Sequence, residues 1–124
     1  MTTDMSAEIW IIAEFTPKEG KNDEFKEVAN LFITTVQANE PGTLTYQFYF
    51  NKLQTKCLVL AQFRDSKAVL AHFKDVGGLV LKLIETAQLT RGELYGNVST
   101  ELRLVATPFG VNFFKPWGGF SRGS

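Results

Sequence analysis

One cysteine, one histidine and four prolines are all that this 124-residue chain has of those types, and its charges cancel. A lone thiol, Cys57, excludes an intrachain disulfide and any zinc site built from cysteines. It lies in the apolar run CLVLAQF, where a buried, inert thiol is expected. Thirteen basic residues against thirteen acidic ones leave no global field to gather nucleic acid or an anionic membrane. No apolar run approaches the ~20 residues of a membrane span. The opening MTTDMSAE carries acids and no base, unlike the start of a signal peptide. These absences lead us to expect a soluble, cytoplasmic protein with neither nucleic acid nor membrane as partner. No Ser-His-Asp set, metal-ligating cluster or pair of carboxylates is legible. Gly77-Gly78 lacks the lysine and the strand-loop-helix setting of a phosphate loop and reads as a helix break.

What the chain has in quantity is phenylalanine, 11 copies within a 44% hydrophobic composition. AEIWIIAEFT (7–16) is β-branched and aromatic and stops at Pro17, predicting a strand. Asn22 offers a helix cap, and Phe25, Val28, Ala29, Phe32 and Val36 follow as one apolar stripe. Pro41 and Gly42 end that helix near Asn39. TLTYQFYF alternates, with Leu44, Tyr46, Phe48 and Phe50 on one face; CLVLAQFR follows after a hairpin-length connection. Asp65 and Ser66 cap a second helix carrying Val69, Phe73 and Val76, and LVLKLIETAQL resumes helical spacing after the glycines. GELYGNV is the predicted fourth strand. The order β-α-β-β-α-(α)-β is that of an α+β, ferredoxin-like fold: a four-stranded antiparallel sheet with helices on one face. STELRLVATPFG then reads as a short helix stopped by Pro108 and Gly110, and Val111 to Lys115 as an added strand before a tail with Trp117 and Phe120.

The predicted helix-covered face collects Ile9, Ile11, Ala13, Phe15, Leu44, Phe48, Val59, Phe63, Leu94 and Val98. The other face still carries Trp10, Ile12, Tyr49, Leu58, Leu60 and Tyr95 among polar residues, too apolar for water alone. A second copy packed there would bury them, so a homodimer through the sheet face is expected, with Glu14 paired across it.

Three blocks, AEFTPKEGKNDEF, NEPGTLTYQFYF and FRDSKAVLAHF, together resemble the antibiotic biosynthesis monooxygenase domain family over residues 8 to 98. The resemblance implies a dimeric α+β barrel: residues 1–98 as the family-like domain, and 99–124 as an extension packed on it. In the family's best-understood branch it implies oxygenation without metal, flavin or other cofactor. There a quinol-like, phenolic or polycyclic aromatic substrate loses a proton and then reacts with dioxygen directly. His72 matches a histidine frequent on the family's second helix, and Tyr46 a tyrosine after the Pro-Gly turn. A second histidine common in the family is replaced by Gly77, and a common tryptophan by Phe63.

His72 sits at the edge of its helix's apolar stripe and admits two readings. It is a boundary histidine bonded to backbone or water, or a base whose unperturbed pKa near 6.5 suits proton abstraction. Tyr46 is the polar group on an apolar strand face, and a buried hydroxyl left unpaired costs ~1–3 kcal/mol. Phe63 and Phe73 either wall a pocket for a hydrophobic or aromatic small molecule or fill core. Arg64 and Arg91, at strand ends, bind an anion or are simply solvated. The competing functions are a cofactor-independent monooxygenase with His72 as base and a binding or sensing module of the same fold without turnover.

Overall fold

The computed structural model describes residues 7–122. Five strands, β1 (Ile9–Pro17), β2 (Thr43–Phe50), β3 (Cys57–Phe63), β4 (Ala87–Tyr95) and β5 (Asn112–Phe114), form one sheet in the order β2-β3-β1-β4-β5. The first four pair antiparallel, as a ferredoxin-like fold requires, but β5 joins β4 in parallel. The sheet is therefore five-stranded and mixed, not four-stranded and antiparallel. A parallel neighbour needs a crossover, and the helix α4 (Thr100–Ala106) with the turn Thr107–Phe109 supplies it. Gly92 makes room for this return, since a Cβ there would lie 2.8 Å from Val111 Cγ1.

Helix α1 (Asn22–Asn39) buries the anticipated stripe Phe25, Val28, Ala29, Phe32 and Val36. Its cap position is Lys21 and not Asn22, whose side chain instead donates to the Gln54 carbonyl at 2.8 Å. In α2 (Ser66–Val76) Asp65 is the cap, accepting from the Ala68 amide at 2.9 Å. Such a cap contributes about 1 kcal/mol. Gly77–Leu79 forms a single tight turn that re-aims the chain into α3 (Val80–Thr86).

Two sequence expectations fail locally. Helical spacing through 79–89 overruns, because Ala87 to Leu89 already pair with Pro17, Thr16 and Phe15 as β4. That strand absorbs one extra residue, Thr90, at the irregularity beside Glu14 and Phe15, and Thr90 Oγ1 lies 2.7 Å from Glu14 Oε1. It ends at Tyr95; Gly96 follows with a φ of 136°, where a Cβ would lie 2.6 Å from the Glu8 carbonyl oxygen, and Asn97 and Val98 lie outside the strand. In β2 the register slips between Thr43 and Thr45. Leu44 is bulged out of the pleat and 46% exposed instead of joining Tyr46 and Phe48.

Helices α1, α2 and α3 cover one sheet face, and the buried core there falls into three clusters rather than one. Ile9, Phe63, Val69, Leu94 and Leu102 pack beneath α2 and α4. Val28, Phe32, Val36 and Val76 pack between α1 and α2, and Phe25 closes on Cys57 and Ala87 at the far end. The Cys57 thiol is fully buried, and burial pushes its pKa up to about 11. The opposite face exposes Trp10, Tyr49 and Leu58 in part, beside polar pairs closed within the chain. Glu14 is one of these, held by Thr90 and by Lys56 at 3.5 Å without a second copy. No helix among the described residues is long and apolar enough to cross a membrane.

Candidate functional site

The site forms where the end of α1 meets the middle of α2. Glu40 follows the last residue of α1, and Pro41-Gly42 then reverses the chain into β2. The turn lies hard against α2: a Cβ on Gly42 would come within 2.8 Å of Ala68 Cβ. The Gly42 carbonyl accepts from the Arg64 amide at 2.8 Å, locking the turn to the end of β3. This approach brings Glu40 to His72, 32 residues along the chain, with His72 Nδ1 2.9 Å from Oε1 and 3.2 Å from Oε2. Both side chains are buried. Aromatic rings surround the imidazole, their centroids at 5.4 Å for Tyr46, 5.2 Å for Phe63 and 5.9 Å for Phe73.

Hydrogen-bond satisfaction assigns the protons. Thr43 Oγ1 donates to Glu40 Oε1 at 2.7 Å, so Oε1 acts as an acceptor and takes the His72 Nδ1–H as well. Asp75 lies on the other side of the Glu40 carboxyl. Its Oδ2 is buried without a hydrogen-bond partner, and its nearness favours a protonated Glu40 carboxyl. Burial first, and the hydrogen bond to Asp75 second, raise the Glu40 pKa to about 7, against the lowering effect of Thr43. Burial lowers that of His72 to about 4, with the Asp75 charge opposing. The pair thus holds a neutral imidazole with hydrogen on Nδ1 and a bare lone pair on Nε2. Burial also pushes the Tyr46 phenol up, and the Glu40 charge adds to this.

His72 lines a cavity of about 350 Å³ between sheet and helices. Ile11, Ala13, Val59 and Ala61 form its floor, Phe32 and Val76 part of its roof, and His72 and Tyr46 stand among these apolar walls. Ile84, Leu89, Val105 and Phe109 line it and are also solvent-exposed, which places its mouth between α3, β4 and the end of α4 with the turn that follows. Glu40 and Asp75 lie outside this space, in a separate cleft of about 300 Å³. No group of His, Cys, Asp and Glu able to hold a metal ion occurs among the described residues.

His72, Tyr46, Phe63 and Phe73, the four residues singled out in the sequence, meet as one ring cluster on the cavity wall. The imidazole Nδ1 bonds the Glu40 carboxyl. Glu40 and Asp75 also make a carboxyl pair that was not legible in the sequence. NEPG marks Glu40 only as the place where a helix must stop, and Asp75 one turn after His72 was the sole local hint. The arginines stand apart from the cavity. Arg91 Nε pairs with Glu93 at 2.8 Å, and Arg64 borders the outer cleft. Val105, Ala106, Phe109 and Val111 come from the C-terminal extension, which therefore completes the cavity wall.

The family model described as antibiotic biosynthesis monooxygenase matches residues 9–75. No curated protein sequence matches the chain. Among solved structures, MupZ from Pseudomonas fluorescens superposes with a TM-score of 0.85 at 25% identity, over 94% of this chain and 95% of that one. SnoaB, a cofactor-independent oxygenase from Streptomyces nogalater, gives 0.64 at 18% identity over 76% of this chain and 96% of its own. Rv0793 from Mycobacterium tuberculosis gives 0.64 at 17% over 75% and 97%. The last two share the fold alone, over about three-quarters of this chain, whereas the MupZ likeness takes in almost all of it.

Proposed function

Since the chain belongs to the antibiotic biosynthesis monooxygenase family, we propose that it is a cofactor-independent oxygenase of a phenolic, quinol-type or polycyclic aromatic molecule, with His72 Nε2 as the base. The observation that carries this reading is a base-competent imidazole, backed by Glu40, on the wall of an apolar cavity large enough for fused rings. Its nitrogen takes a proton from the substrate, leaving an electron-rich anion stacked among Tyr46, Phe63 and Phe73. A CH2 carbon activated in this way passes electrons to dioxygen and forms a C–O bond. The peroxide takes up a proton, and loss of water from H–C–O–OH leaves a carbonyl. One dioxygen thus yields the carbonyl oxygen and one water, with the four electrons coming from the substrate carbon. In this proposal the Tyr46 hydroxyl holds the substrate oxygen that carries the anionic charge.

Water is excluded by the same apolar walls, which favours charge delocalised over rings rather than a localised, hydrated anion. SnoaB, of the same fold, is itself a cofactor-independent oxygenase, and that supports the reading by analogy. In this proposal the protein works as a homodimer through its exposed sheet face, and residues 99–124 act as an extension of the family-like domain.

The test is dioxygen consumption over a panel of quinols and anthrone-like polycycles, in metal-free buffer. A general base contributes ~10²–10⁴-fold, so His72→Ala should lose at least about a hundredfold in kcat. Equal rates for the two proteins would remove His72 from the chemistry. Tight binding of a polycycle with no oxygen uptake would establish the binding module instead.

A further inference from the structure

Two hollows in this fold meet at one hydrogen bond. The apolar cavity reaches His72 from the sheet side, while the outer cleft reaches Glu40 and Asp75 between the Pro41-Gly42 turn and α2. Glu40 and Asp75 do not line the cavity, and His72 does not line the cleft. The contact between His72 Nδ1 and Glu40 Oε1, at 2.9 Å, joins the two. A ligand that fills the cavity also blocks its mouth, whose walls at Ile84, Leu89, Val105 and Phe109 offer no side-chain proton carrier. A proton taken up by Nε2 therefore has no route back past the ligand.

We infer that Glu40 and Asp75 form a relay that carries protons between His72 and solvent in the outer cleft, away from the ligand. This rests on the proposed role of His72 as base. Nε2 gains the ligand's proton, and Nδ1 passes its own hydrogen to Glu40 Oε1. Glu40 Oε2 passes its hydrogen to Asp75 Oδ2, and Asp75 releases one proton to cleft water. The ligand loses one proton and the solvent gains one. The imidazole ends neutral in its other tautomer and never becomes an imidazolium, the form that burial penalises. Run backwards, the relay returns a proton for the peroxide or product.

The surroundings fit this use. Asn39 Nδ2 fixes Asp75 through Oδ1 at 3.2 Å, leaving the buried Oδ2 for Glu40. Thr43 holds Oε1, the Glu40 oxygen nearer the ring, while Oε2 lies 3.2 Å from Nδ1. Arg64, Asp65 and Lys67 line the cleft and are its remaining charged groups, in contact with solvent. On the cavity side, Tyr46 is the titratable neighbour of the ring.

Because His72 is the only histidine, isotope-labelled histidine reports on this site alone. Glu40→Gln keeps an oxygen for Nδ1–H and an amide hydrogen for Asp75, yet cannot pass a proton along. Proton–nitrogen correlation spectra should show hydrogen on Nδ1 in wild type and E40Q. Exchange of that hydrogen with solvent should slow at least about tenfold in E40Q and in Asp75→Asn, with backbone amide exchange in α2 unchanged. Equal exchange rates, or hydrogen on Nε2 in the wild type, would overturn the relay whether or not a substrate is found. With a quinol the wild type oxidises, E40Q should lose at least about a hundredfold in kcat at unchanged KM. Full activity in E40Q would sink the relay and leave His72 as base. Full activity in His72→Ala would sink the base reading instead.

Discussion

An imidazole that must lose its hydration to become charged resists protonation, and a carboxyl in the same place resists ionisation. His72 should therefore stay neutral far below its ordinary range, with a midpoint near pH 4. A titration of its labelled ring checks this, and a midpoint near 6.5 would contradict it. The linked stabilities run in opposite directions. The depressed His72 value gives a contribution that is complete above about pH 6.5 and is lost as pH falls through about 4. The raised Glu40 value gives one that is complete below about 4.5 and is lost as pH rises through about 7. Glu40→Gln should consequently gain on the wild type in urea midpoint between pH 5 and 8, and a pH-independent difference would argue against a protonated Glu40. At this scale the sequence was partly legible. The helix edge at His72 and the apolar face at Tyr46 follow from local periodicity. Glu40 does not, because a residue 32 positions away in a turn acquires its role only when the turn docks on α2.

The elements hold this docking through two small features. Asp65 caps α2, and Asp65→Ala should cost about 1 kcal/mol in chemical denaturation. Gly42 lets the turn touch Ala68, so Gly42→Ala forces α1 and α2 apart at the point where Glu40 must reach His72. Overpacking of this kind costs ~1–3 kcal/mol. It should also shift the His72 titration midpoint, which Asp65→Ala should move less. No change in either measurement would show that the turn has slack. Strand and helix identities were readable from period and punctuation, as the stripe of α1 shows. Where reading failed, a bulge or a pairing partner decided. Leu44 left its face because β2 carries an extra residue, and Ala87 to Leu89 became strand because β1 was there to pair with them. Neither cause is local in the sequence.

Across the whole molecule, the phenylalanine-rich composition neither simply fills the core nor simply frames a pocket. Phe25 is fully buried away from the cavity, while Phe32, Phe48, Phe63 and Phe73 help wall it. The extension beyond Ser99 closes that hollow, a role the sequence pattern could not reveal because α4 and β5 look like appendages until they fold back over the sheet edge. On the outer face, Tyr49 at 52% exposure and its neighbours Trp10 and Leu58 favour a second copy. Light scattering should give a dimer at micromolar concentration, and Leu58→Glu should give a monomer; a wild-type monomer would contradict the dimer. The proposed oxygenase chemistry depends on a base in the cavity that ionises an aromatic ligand. The most direct measurement is the absorption spectrum of a quinol-type polycycle bound without oxygen at pH 7.5, to wild type and to His72→Ala. The wild type should give the anion's spectrum and the variant the neutral molecule's. A neutral ligand bound to the wild-type protein would contradict the base reading.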